Sequence, residues 1–190
     1  TDFWLSVKLA KIVKHCWLEA YDEVGGLDFT RACAPKVIHL IGSASWDKGT
    51  YTLGTAEGGL KVTLYMGNWL DLTNVDRMNE YYFKVMHHEF AHILHQKKNY
   101  PVDYDKISAG NYTPTGWQNR KLAEVAPLGF VTPYAGSKPS EDIAEVTACF
   151  LTYPEAQWEN VMTLAGEKGK PIIDQKLAMA VSYTHLTLPT

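Results

Sequence analysis

The chain has 190 residues, of which 46% are hydrophobic and 21% charged, with a formal net charge of -3 at pH 7. That length suits one domain with its own core, and the composition excludes a disordered or fibrous chain. No basic run exceeds Lys97-Lys98 and no window nears the ~20 apolar residues that span a bilayer, so neither a nucleic-acid partner nor a membrane helix is expected.

Apolar residues from Phe3 to about Tyr21 recur at three- and four-residue steps and predict an amphipathic helix, closed at Gly25-Gly26. Strands are predicted at Lys36 to Ile41, Tyr51 to Gly54 and Leu60 to Met66, the last two joined by a hairpin turn at Gly58-Gly59. Thr73-x-x-Asp76 has the form of a capping box, opening a helix from about Val75 to Lys98 that Pro101 stops. Residues 99–139 are rich in Gly, Pro, Asn, Thr and Tyr and predict loops, with a short helix at Arg120 to Ala126. Ser140 is placed to cap a helix from Glu141 to about Thr152. Two more helical stretches follow at Glu155 to Leu164 and Ile172 to Ala180. Residues 181–190 break this pattern and read as a tail foreign to a single domain spanning 1–180, so His185 is set aside. The start at Thr1, with no signal-peptide pattern, is expected of a processed N-terminus or a fragment.

His88-Glu89-Phe90-Ala91-His92 matches H-E-x-x-H within a predicted helix. A four-residue step sets the two imidazoles ~40° apart around the axis and ~6 Å apart along it, within reach of one Zn²⁺ ion. Glu89 lies on the neighbouring part of that face, where a general base is needed. A third ligand leaves one zinc position for water, and Glu141-Asp142-Ile143-Ala144-Glu145 offers two carboxylates one turn apart. One of Glu141 and Glu145 can bind the ion while the other accepts the N–H of a ligating imidazole. An acidic first turn complementing the helix dipole would account for Glu141 and Asp142 without a metal.

His95 lies ~10 Å along the helix from His88 and cannot share one ion with both histidines. It is expected to pack or to support a ligand, and His87, facing another side, to be a core or a surface histidine. His15 and His39 have no partner pattern, and Tyr100, Tyr104, Tyr112, Trp117 and Tyr134 read chiefly as packing. Cys16, Cys33 and Cys149 are odd in number and without paired spacing, which argues against disulfides or a cysteine zinc site. Asn111-Tyr112-Thr113 fits a glycosylation sequon, with no sign of the secretory route it would need.

From about Trp17 to Thr152 the chain resembles a family of zinc-binding metallopeptidases, the substrate import-associated zinc metallohydrolases. The likeness rests on Gly42-Ser43-Ala44, the segment from Thr52 to Gly59, the segment from His87 to Gln96, Leu128-Gly129-Phe130-Val131 and the segment from Glu141 to Glu145. A more distant similarity is to the catalytic domain of anthrax lethal factor, a gluzincin-like peptidase. Aligned on its Glu-Phe-Phe-Ala-Glu segment, Glu141 takes the ligand position and Glu145 the supporting one. Tyr134, seven residues before the ligand, takes the position of a catalytic tyrosine. Asp142-Ile143 departs from the two aromatics of that toxin.

These resemblances imply an α+β zincin-like fold, a small twisted sheet packed on the H-E-x-x-H helix with the Glu141 helix facing it. They imply a zinc hydrolase of peptide or protein substrates, with His88, His92 and Glu141 as ligands, Glu89 as base and Tyr134 as oxyanion stabiliser. They also imply a lipoprotein on the bacterial outer membrane or cell surface, beside a nutrient-import complex. A non-catalytic zinc-binding accessory and a hydrolase of a non-peptide bond are the alternatives.

Overall fold

The computed structural model describes residues 1–47 and 50–187, which divide into two units, Thr1–Lys98 and Asn99–Thr187. The mixed helix and sheet content agrees with the α+β zincin-like class. Among the described residues no helix is long and apolar enough to cross a membrane.

In the first unit Asp2 caps helix α1 (Phe3–Ile12) by accepting the Leu5 N–H at 2.9 Å. A π-helical stretch, Val13–Leu18, continues into α2 (Glu19–Gly25), and Gly26, at φ 80°, closes the run at the expected Gly25-Gly26. Leu9, Val13 and Trp17, spaced by four, are its buried stripe. Helix α3 (Leu27–Cys33) was not foreseen, being too short for a periodic signal.

Strands β1 (Val37–Leu40), β2 (Ser45–Asp47), β3 (Thr50–Thr52), β4 (Gly54–Glu57) and β5 (Lys61–Leu64) follow. The order β1-β5-β4 makes a three-stranded sheet, parallel at β1-β5 and antiparallel at β4-β5, and β2 and β3 form a separate hairpin. Gly58 and Gly59, at φ 59° and 67°, form the turn between β4 and β5 where it was expected. The single strand expected at Tyr51 to Gly54 is shared between β3 and β4, with a bend at Leu53.

Asn74, not Thr73, caps α4 (Val75–Met78), accepting the Arg77 N–H at 2.9 Å. Asp71 holds Thr73 outside the helix through its N–H at 3.0 Å and hydroxyl at 2.7 Å, so the expected capping box does not form. A π-helical stretch, Asn79–Phe83, leads into α5 (Lys84–Lys97).

The second unit holds α6 (Tyr104–Ile107), α7 (Leu122–Val125), α8 (Pro139–Thr152) and α9 (Glu155–Thr187). Lys138 occupies the N-cap of α8 and Pro139 its first turn, displacing the expected Ser140 cap; proline's fixed φ and missing N–H suit that place. Two helices follow Pro154 as expected, since Gly166 (φ 60°, ψ -163°) leaves the helical conformation and breaks α9 there, although the second begins before the expected Ile172. The helix runs on to Thr187 with Tyr183 buried, so the pattern break at Val181 does not end it. Residues 188–190 of the expected tail lie outside the described residues.

The core here is built from Val125, Phe130, Val131, Val146, Cys149 and Ile173 among others. A Cβ on Gly129 (φ 88°) would stand 2.2 Å from Ile172, so α9 and the loop before α8 meet with no room for a side chain there. All three cysteines are free thiols, as expected.

Candidate metal centre and catalytic site

Phe90 decides which way α5 faces. Its ring, 2% exposed, lies against Trp17 (6.0 Å between centroids), Tyr21 (4.4 Å) and Phe29 (6.2 Å). His88 and His92 are each two residues away, about 160° around the axis, so anchoring Phe90 presents both imidazoles on the opposite side. Phe90→Leu keeps an apolar side chain but removes the edge-to-face ring contacts. It is expected to cost about 1–2 kcal/mol, read as a lower urea midpoint at unchanged slope. An unchanged midpoint would show that the ring cluster does not anchor the helix.

On that presented face the His88 and His92 Nε2 atoms stand 3.1 Å apart, their rings 4.7 Å between centroids and 80° from parallel. Glu89 is buried beside them. A Cβ on Gly54 would lie 2.4 Å from Val85 Cγ1 and 3.1 Å from Glu89 Oε1, so β4 starts directly against the face that carries Glu89. Glycine at 54 is what permits this approach.

His87 turns away, its Nδ1 2.8 Å from the Tyr21 hydroxyl. Burial lowers its pKa to about 4 and raises that of Tyr21, so the phenol donates to a neutral imidazole. Of the two places expected for it, core or surface, it takes the core. The His95 ring lies 6.0 Å from that of His92, in reach of supporting a ligand.

In the second unit the acidic pair stands on the first turns of α8. Glu141, 6% exposed, has Oε1 3.2 Å from Lys138 Nζ. Glu145, 3% exposed, accepts the Thr132 hydroxyl at 2.6 Å, and the Thr132 oxygen in turn accepts the Ala135 N–H at 3.0 Å. Tyr134 stands at the head of the turn Ala135–Ser137, its ring 4.7 Å from Trp117.

Asp142 points the other way, into a 2.6 Å pair with Lys176, both fully buried. The Tyr112 hydroxyl donates to Asp142 at 2.8 Å, and Lys176 also donates to the Gly129 carbonyl at 2.7 Å. Burial raises the Asp142 pKa to about 6, against the pull of Lys176, and lowers that of Lys176. Sequence reasoning missed Thr132 and Lys176, since a lone threonine in a loop and a lone lysine in a helix carry no pattern.

His88 and His92 each offer an imidazole nitrogen from α5, and Glu141 offers a buried carboxylate from α8. Two imidazole nitrogens and one carboxylate oxygen form a donor set that zinc accepts while keeping a position open. A family model described as "putative zinc-binding metallo-peptidase" matches residues 2–187. The chain belongs to this family. It is also similar to a protein of Bacteroides caccae ATCC 43185, known from a 2.10 Å crystal structure as a putative zinc-binding metallo-peptidase. The two are 96% identical, with a TM-score of 0.86 over 99% of this chain and 72% of that one. No curated protein matches the chain. Family and relative agree with the expected fold class and with zinc as the metal.

Proposed function

We propose that the chain is a peptidase in which His88, His92 and Glu141 hold zinc and Glu89 is the general base. What carries this reading is the pair of His88 and His92 Nε2 atoms 3.1 Å apart on one helix face, with a buried carboxylate on the residue next to His88. Zinc bound there supplies Lewis acidity and lowers the pKa of water towards ~7. Glu89 takes the proton from the water that attacks the peptide carbonyl and passes it to the leaving amine. The Tyr134 hydroxyl donates to the oxyanion, where charge develops. An extended peptide is favoured as substrate because β4, at the sheet edge beside Glu89, can present unpaired backbone groups along its outer side.

Glu141 is preferred to Glu145 as ligand on the resemblance to gluzincin-like peptidases, since each carboxylate has one oxygen engaged, by Lys138 and by Thr132. Glu141→Ala is therefore expected to cost more zinc affinity than Glu145→Ala, whose loss should be about 10- to 100-fold. Competition with a zinc chelator measures both, and the reverse order would exchange their roles. The function itself is tested by digesting a mixed peptide library with the zinc-loaded chain. Cleavage abolished by chelation supports the peptidase. An untouched library, or one cleaved equally without metal, would favour a zinc-binding accessory or a hydrolase of another bond.

A further inference from the structure

Trp46 and Tyr51 are directly opposite on β2 and β3, their rings 5.2 Å apart, yet they stay 69% and 43% exposed. Tyr51 also hydrogen-bonds with Tyr81. A cross-strand aromatic pair helps to hold so short a hairpin, but that role does not require its faces to remain in solvent. Their position relative to Glu89 is what distinguishes them. Tyr81, Val85 and Glu89 recur at four-residue steps along one helical run, and the strand lies along it, Tyr51 at Tyr81 and Gly54 at Val85 and Glu89. Eight helical positions separate Tyr81 from Glu89, about 12 Å. An extended peptide covers that distance in about three to four residues.

We propose that Trp46, Tyr51 and Tyr81 form a substrate subsite that takes an aromatic side chain of the peptide about three to four residues from the cleaved bond. This rests on the peptidase reading and adds a specificity to it. Trp46 supplies a broad apolar face. The tyrosines supply rings with hydroxyls at their rims, a combination that holds aromatic side chains at low entropic cost.

The test uses the whole zinc-loaded chain and ten-residue peptides in which one tryptophan is moved through an alanine-rich background. Binding is measured by anisotropy with the Glu89→Gln chain, and cleavage as kcat/KM with Glu89 intact. One position of the tryptophan is expected to improve both by about tenfold over alanine. Trp46→Ala should bring that ratio to within about twofold, and Trp46→Phe should restore it, which a merely structural loss would not do. Zinc content and circular dichroism verify that each variant folds. The subsite is overturned if no position of the tryptophan improves binding, or if the ratio survives Trp46→Ala. Binding that shows the positional preference while the intact chain cleaves nothing would sustain the subsite and remove the peptidase.

Discussion

Glu89→Gln is expected to keep its zinc and to lose about 10²- to 10⁴-fold in kcat. The substitution is nearly isosteric, so the packing of Val85 and Glu89 against Gly54 is preserved. What goes is the basicity. An amide cannot take the proton from the attacking water, whereas His88 and His92, the proposed zinc ligands, are untouched. Zinc is read by elemental analysis and turnover on whichever library peptide the parent cleaves. Tyr134→Phe should behave in the same direction with a smaller loss, falling on kcat more than on KM, because its hydroxyl acts on charge present only in the transition state. A Glu89→Gln chain that cleaves as fast as the parent would remove Glu89 from the mechanism.

The second large effect is on stability. Lys176→Ala leaves the Asp142 carboxylate fully buried without its cation, and breaking such a pair costs about 3–5 kcal/mol. The Gly129 carbonyl loses its donor at the same time. Replacing both partners, Asp142→Leu with Lys176→Met, is expected to recover part of that loss, because no unpaired charge stays buried, while the Gly129 carbonyl and the Tyr112 hydroxyl still lose a partner. Urea unfolding of the single and double variants decides it. A single variant as stable as the parent would mean that water reaches Asp142 and the pair is not sealed. Asp142 adjoins Glu141, so the single variant is also expected to hold zinc less tightly, through a loosened first turn of α8.

The site was more legible in the sequence than the fold around it. H-E-x-x-H declares itself because both histidines must share one face of a helix, and the structure places His88 and His92 there with Nε2 atoms 3.1 Å apart. Glu141 and Glu145 were equivalent by spacing alone. Resemblance to other metallopeptidases favoured Glu141; the structure gives each carboxylate its own partner, Lys138 for Glu141 and Thr132 for Glu145. Thr132 itself was invisible, because its partners are set by a loop that brings residues 13 apart together.

Among the elements, the hairpin glycines were readable because two consecutive positive φ angles admit little else. The caps were not. Thr73 and Ser140 are as good in isolation as the residues that do the work, and Asp71 and Pro139 decide against them. The two helices after Pro154 were legible, and Gly166, in a conformation that favours glycine, separates them; Gly169 lies where a Cβ would stand 2.1 Å from the Ala126 carbonyl oxygen.

The central claim is most directly tested by the zinc content of the purified whole chain, by elemental analysis, beside His88→Ala and His92→Ala. About one zinc per chain is expected in the parent and close to none in either variant, because two ligands cannot keep what three hold. Full zinc in either variant, or none in the parent after exposure to stoichiometric zinc, would contradict the assignment of His88, His92 and Glu141 as the metal centre.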